Sequence, residues 1–142
     1  MKCLTQKPTV LVIDDMPAHL MLTSALLHER YHVRVATSGA QALKIVEQAL
    51  PDLILLDVMM PDMDGYEVCR RLKGDPNTRD VPVLFLSANS QDEGECLGFK
   101  LGAADYLHKP INPPVMLARV QAQLCVKATT DLLRSQNTVL IR

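Results

Sequence analysis

Leu53-Ile54-Leu55-Leu56-Asp57 is an unbroken apolar run closed by a carboxylate. Four consecutive apolar side chains leave a strand no wet face, so the run suits a strand buried on both faces of a parallel sheet. A carboxylate that terminates such a strand needs a compensating partner. The pattern recurs on either side. Thr9-Val10-Leu11-Val12-Ile13 is β-branched and apolar and stops at Asp14-Asp15, and Val83-Leu84-Phe85-Leu86 stops at Ser87. Weaker strands are predicted at His32 to Ala36 and at Asp105-Tyr106-Leu107.

Helical spacing fills the intervals. Pro17 to Glu29 reads as a first helix with its proline tolerated in the first turn, and Ser38-Gly39 opens a second carrying Ala42, Leu43, Ile45, Val46 and Ala49. Asp64 to Lys73 is a third, ended by Gly74-Asp75-Pro76. A fourth is predicted over Asp92 to Leu101, where Gly94 and Gly98 each cost about 1 kcal/mol. Asn112-Pro113-Pro114 supplies a cap and a proline start for the fifth. Its apolar stripe runs through Leu117, Val120, Leu124, Ala128 and Leu132 toward Ser135, longer than the usual ~11–12 residues. This helix is expected to overhang the domain, either paired with a partner helix in a short coiled coil or ending as a solvated, frayed turn.

Five strands each followed by a helix predict a parallel sheet covered on both faces, a three-layer α/β/α sandwich. Right-handed crossovers leave few strand orders, and the doubly wound, flavodoxin-like order 2-1-3-4-5 puts ligands at the carboxyl ends of the strands. The 142 residues suit one domain able to bury roughly two-thirds of its unfolded surface. Apolar residues make up 48% of the chain, yet no stretch approaches the ~18 needed to span a bilayer, and no signal peptide is legible at the start. A cytoplasmic protein is expected. Cys3, Cys69, Cys96 and Cys125 are too scattered for a metal knuckle or a disulfide framework. Residues 1–118 carry 11 basic against 15 acidic side chains, and 119–142 carry four against one. An acidic body argues against nucleic acid as a direct partner, and the tail is no polybasic cluster that would seek a membrane.

The polar residues that interrupt the strands converge on one rim: Asp14, Asp15, Asp57, Ser87 and Lys109. Three crowded carboxylates repel one another and need either a raised pKa or a cation. Magnesium, a hard ion that keeps several waters, answers that need. Asp57 is the carboxylate best placed to act as a nucleophile and form an acyl phosphate. Phosphoryl transfer asks the protein chiefly for positioning and charge, which Lys109 and the Ser87 hydroxyl can add.

These residues carry a family resemblance. Ile13-Asp14-Asp15, the stretch from Leu55 through Asp57-Val58-Met59-Met60-Pro61-Asp62-Met63-Asp64 to Gly65, Leu86-Ser87-Ala88 and Lys109-Pro110 resemble the response-regulator receiver domains of two-component signalling. The resemblance covers Thr9 to Val126, so it implies an N-terminal extension at 1–8, a receiver domain at 9–126, and a helical extension or linker at 127–142; that ending resembles a linker cut before an output domain, with a free-standing regulator that docks to a partner as the alternative. It further implies that Asp15, Asp57 and the Met59 backbone carbonyl bind Mg2+ directly, with Mn2+ as a substitute, and that Asp14 acts through water. Ser87 and Lys109 would hold the phosphoryl oxygens, and Tyr106 would be the aromatic whose rotamer reports phosphorylation. By the same resemblance Met59 and Asn89 would stand where the lifetime of the acyl phosphate is tuned, and the apolar Met59 side chain is expected to shield it from water.

The implied function is that of a phosphoacceptor rather than an enzyme acting on outside substrates. The donor would be a sensor histidine kinase or a histidine phosphotransfer protein. The output would be a repacked face of the fourth helix, strand five and the fifth helix, changing a partner or a homodimer formed there or through the C-terminal helix. Blander readings exist for each residue alone. An Asp-Asp pair is often a turn or cap, Ser87 an ordinary strand-end hydroxyl, and Tyr106 a core aromatic. Met59, Met60 and Met63 beside hard carboxylates disfavour copper, and His28 and His32 straddle a helix end. His108 reads as an exposed histidine without a role. An aspartate-nucleophile phosphatase would want a second acid where Met59 stands, and a flavodoxin-like cofactor binder would place phosphate against Asp14-Asp15, which repel it. A receiver fold used only for protein contacts has no need of mutually repulsive carboxylates.

Overall fold

A computed structural model describes residues 7–88 and 98–141, with side chains described as far as Arg134. Five strands, β1 (Thr9–Ile13), β2 (His32–Ala36), β3 (Leu53–Asp57), β4 (Val83–Ser87) and β5 (Asp105–His108), form one sheet in the order β2-β1-β3-β4-β5. Every pairing is parallel. The helices α1 (Pro17–Leu27), α2 (Gly39–Gln48), α3 (Gly65–Gly74) and the C-terminal helix (Pro113–Ile141) lie against it.

The two-residue period of a strand sorts the apolar runs onto two faces. Leu11, Ile13, Ile54, Leu56, Val83, Phe85 and Tyr106 pack with Ala42 and Val46 of α2 and with Val68, Cys69 and Leu72 of α3. Val10, Val12, Leu53, Leu55, Leu84, Leu86 and Leu107 pack with Leu20 and Leu27 of α1 and with Met116 and Val120 of the C-terminal helix. β3 and β4 are buried throughout and β1 from Val10 onward, as unbroken apolar runs require.

Helix ends follow their expected caps. Ser38 Oγ accepts from the Gln41 amide at 3.2 Å, Asp64 Oδ1 from Glu67 at 2.9 Å, and Asn112 Oδ1 from Val115 at 3.3 Å. Several boundaries differ from expectation: α2 ends at Gln48, one residue short of Ala49, and α3 spans Gly65–Gly74 rather than Asp64 to Lys73. α1 stops at Leu27, before Glu29, because the Arg30 and Tyr31 amides both turn back to the Leu27 carbonyl and carry Tyr31 into the core. The strand beginning at Asp105 runs one residue further, to His108. The C-terminal helix continues past Ser135 to Ile141, and the absence of glycine or proline after Pro114 gives it no reason to stop. The predicted fourth helix falls mostly on residues 89–97, outside the described residues, although 98–100 are helical. Arg134, late in this helix, pairs with Asp80 of the domain at 2.7 Å.

Candidate functional site

Alternation also decides which polar groups meet. Asp14 follows Ile13 and so returns to the side of Val10 and Val12; Asp57 lies on the side of Leu53 and Leu55; Lys109 lies on the side of Leu107. All three therefore emerge at the carboxyl ends of β1, β3 and β5 on the face covered by α1. One ligand oxygen each from Asp14, Asp15 and Asp57 lies within 4.8 Å of the others. Lys109 Nζ reaches Asp14 Oδ2 at 3.2 Å and Asp57 Oδ1 at 3.3 Å. Asp14 and Asp57 are buried, and Asp15 is half-buried.

The backbone holds this rim closed. The Val58 amide donates to the Leu86 carbonyl at 3.0 Å, and the Lys109 amide to the Ser87 carbonyl at 2.8 Å, which locks the ends of β3, β4 and β5 together. The Gly65 amide donates to the Val58 carbonyl at 2.9 Å. A Cβ at Gly65 would stand 2.3 Å from the Asp57 carbonyl oxygen, so only glycine lets α3 begin this close to the strand end. Asp62, with φ of 67°, makes the left-handed turn between them, a conformation that aspartate tolerates better than most residues. The Lys109-Pro110 peptide is cis.

Burial and the adjacent Asp14 charge push the Asp57 carboxyl up to about 6, against the opposing pull of Lys109. One ammonium cannot balance three carboxylates, and the charge left over matches a divalent cation. The donors are hard oxygens, which suit a magnesium-like ion and not a soft one. The same negative charge disfavours a flavodoxin-like phosphate cradle.

Ser87 closes β4 and is buried, one position beyond the Leu86 that pairs with Asp57. Met59 follows the strand with its side chain 72% exposed. Tyr106 does not join the cluster; it is buried on the opposite face of the sheet, against Phe85. Asn89 lies outside the described residues. Two residues that sequence reasoning passed over enter here. His19 of α1 places Nδ1 3.3 Å from Asp14 Oδ2 and 3.2 Å from Lys109 Nζ, where one ring nitrogen can donate to the first or accept from the second. Tyr66 of α3 sets its hydroxyl 2.9 Å from that of Tyr106. A histidine four residues beyond Asp15, one helical turn on, was the available signal for the first; nothing local marks the second.

A doubly wound sheet that gathers three carboxylates and a lysine at the β1/β3 switch point has the arrangement of a receiver-type signalling module. The model of the response regulator receiver domain matches residues 10–121, and the chain belongs to that family. It is 43% identical over 132 residues to a Vibrio cholerae protein named as a probable cyclic di-GMP phosphodiesterase, covering 93% of this chain and 30% of that one. It is 44% identical over 128 residues to the response regulator PleD of Caulobacter vibrioides, covering 89% and 28%. The crystal structure of the chemotaxis protein CheY4 of Vibrio cholerae superposes with a TM-score of 0.78 at 31% identity, covering 82% of this chain and 98% of that one. The chain thus spans under a third of the length of these two longer relatives. Among the described residues no helix is long and apolar enough to cross a membrane.

Proposed function

We propose that Asp57 is the phosphoacceptor of a signalling receiver. A carboxylate oxygen of Asp57 attacks the phosphorus of a phosphohistidine or a small acyl phosphate. The new O–P bond forms as the bond to the donor breaks, and the donor leaves with that electron pair. The observation that carries this reading is the burial of Asp57 in one pocket with Asp14, Asp15 and Lys109. Lys109 and Ser87 would hold the phosphoryl oxygens. Asp15, Asp57 and the Met59 carbonyl would hold magnesium, or manganese in its place, with Asp14 acting through water; the ion supplies the positive charge that the incoming phosphoryl group needs.

The donor would be a sensor histidine kinase or a histidine phosphotransfer protein. The chain turns over no outside substrate in this reading. Residues 9–126 are the receiver, preceded by an extension at 1–8, in a cytoplasmic setting. The helix beyond residue 126 links it to an output domain or to a second copy. Phosphorylation at the rim biases the packing of β5 and its neighbouring helices and so changes affinity for that partner.

Incubation with magnesium and acetyl phosphate, followed by intact mass, tests the reading. Wild type should gain one phosphoryl group, chelation of the metal should prevent it, and Asp57→Asn should gain none; equal labelling of that variant would contradict it. Met59→Asn, which replaces an apolar side chain by a polar one, should shorten the lifetime of the acyl phosphate several-fold, measured as the decay of the labelled mass.

A further inference from the structure

Tyr106 is held by a partner outside the acidic pocket. Its ring is 3% exposed and lies 5.6 Å, centroid to centroid, from Phe85, its register neighbour on β4. Tyr66 flanks the same Phe85 at 5.2 Å. The two tyrosine hydroxyls meet at 2.9 Å. Room for the inward ring is made by Gly98, where a Cβ would stand 3.0 Å from both Phe85 Cδ2 and Tyr106 Cε2. Tyr66 is itself seated beside the pocket, because it follows Gly65, whose amide donates to the Val58 carbonyl at 2.9 Å and whose backbone lies too close to the Asp57 carbonyl to admit a Cβ. A continuous path therefore leads from Asp57 through Gly65 and Tyr66 to Tyr106. Burial and the bond to Tyr106 also raise the Tyr66 phenol, so its hydroxyl stays protonated at ordinary pH.

We infer that Tyr66 is a positioning residue: its hydroxyl latches the Tyr106 ring inward before any phosphoryl group arrives. The latch stands on geometry alone. Its regulatory meaning, that the β5 face starts in its buried-ring arrangement and phosphorylation adds little further inward movement, rests on the reading of Asp57 given above. Without the latch the ring would divide between inward and outward positions, and phosphorylation would then shift that ring equilibrium as well as the packing of the neighbouring helices.

The chain holds three tyrosines, Tyr31, Tyr66 and Tyr106, and no tryptophan, so fluorotyrosine labelling gives a spectrum that Tyr→Phe variants can assign. Broadening of the Tyr106 fluorine signal by a soluble nitroxide reads its exposure. In the unphosphorylated protein Tyr66→Phe should raise that broadening about fivefold, the ratio that one neutral hydrogen bond controls. Magnesium with acetyl phosphate should then restore protection in Tyr66→Phe and change little in wild type. Gly98→Ala, which fills the space under the ring, calibrates the outward signal, and far-ultraviolet circular dichroism checks that both variants fold. Broadening in Tyr66→Phe equal to wild type, while Gly98→Ala exposes the ring, would overturn the latch, because the cavity alone would then hold the ring. Failure of the same samples to gain phosphoryl mass would instead remove the reading of Asp57, and the unphosphorylated comparison would still decide the latch.

Discussion

Asp57 and Glu67 are two carboxylates on neighbouring elements, each within reach of a cation, and they titrate in opposite directions. Glu67, at the surface of α3, bonds Arg70 at 2.6 and 2.8 Å and Arg71 at 2.7 Å, and its carboxyl is pulled down to about 2. Asp57 lies 3.3 Å from Lys109 and is pushed up to about 6. Proximity to a positive charge therefore does not decide the matter. Water solvates Glu67 and its arginines, so the ion pairs add to a charge that already has little cost. Asp57 has lost its water and faces Asp14, so desolvation and like-charge repulsion exceed what one ammonium returns. The surface group is satisfied, and the pocket is left wanting a cation.

The largest expected effect breaks the comparison on the Asp57 side. Because its folded pKa stands above the ordinary value of 3.8, the neutral form of Asp57 favours the folded state; that contribution is complete below about 3.8 and is lost as pH rises through about 6. Metal-free protein should lose up to about 3 kcal/mol across this window, the worth of roughly two pKa units. Asp57→Asn should flatten this part of the profile, as read by urea unfolding at several pH values. Next in size, Lys109→Gln removes the one opposing cation and should move the Asp57 midpoint higher still, visible in a pH titration of its carboxyl carbon. The smallest effect belongs to the surface. Glu67→Gln should leave the thermal midpoint within error at neutral pH, with or without added salt, because exposed pairs of this kind contribute little.

The pocket side of this contrast is legible in the sequence, whereas nothing there singles out Glu67. Uninterrupted apolar runs marked β1, β3 and β4 as central strands, and the strand period then forces Asp14, Asp57 and Lys109 onto one face. Where the C-terminal helix stops was not legible, since a fading apolar stripe at Thr129-Thr130 says less about helix length than the lack of any breaker. His19 escaped notice because a histidine on an outward turn of α1 looks like many solvated ones until Asp14 and Lys109 are brought beside it. Tyr66 escaped for a stronger reason. Its hydroxyl meets one 40 residues away, and that meeting depends on the β4–β5 register and on the close seating of α3, neither of which has a local signature.

The measurement closest to the centre of this account is a carbon-detected titration of the Asp57 carboxyl with and without magnesium. A midpoint near 6 in the metal-free protein, falling well below it once the ion is added, is the predicted result. An ordinary carboxylate midpoint near 4 that magnesium leaves unmoved would mean the pocket was never short of a cation.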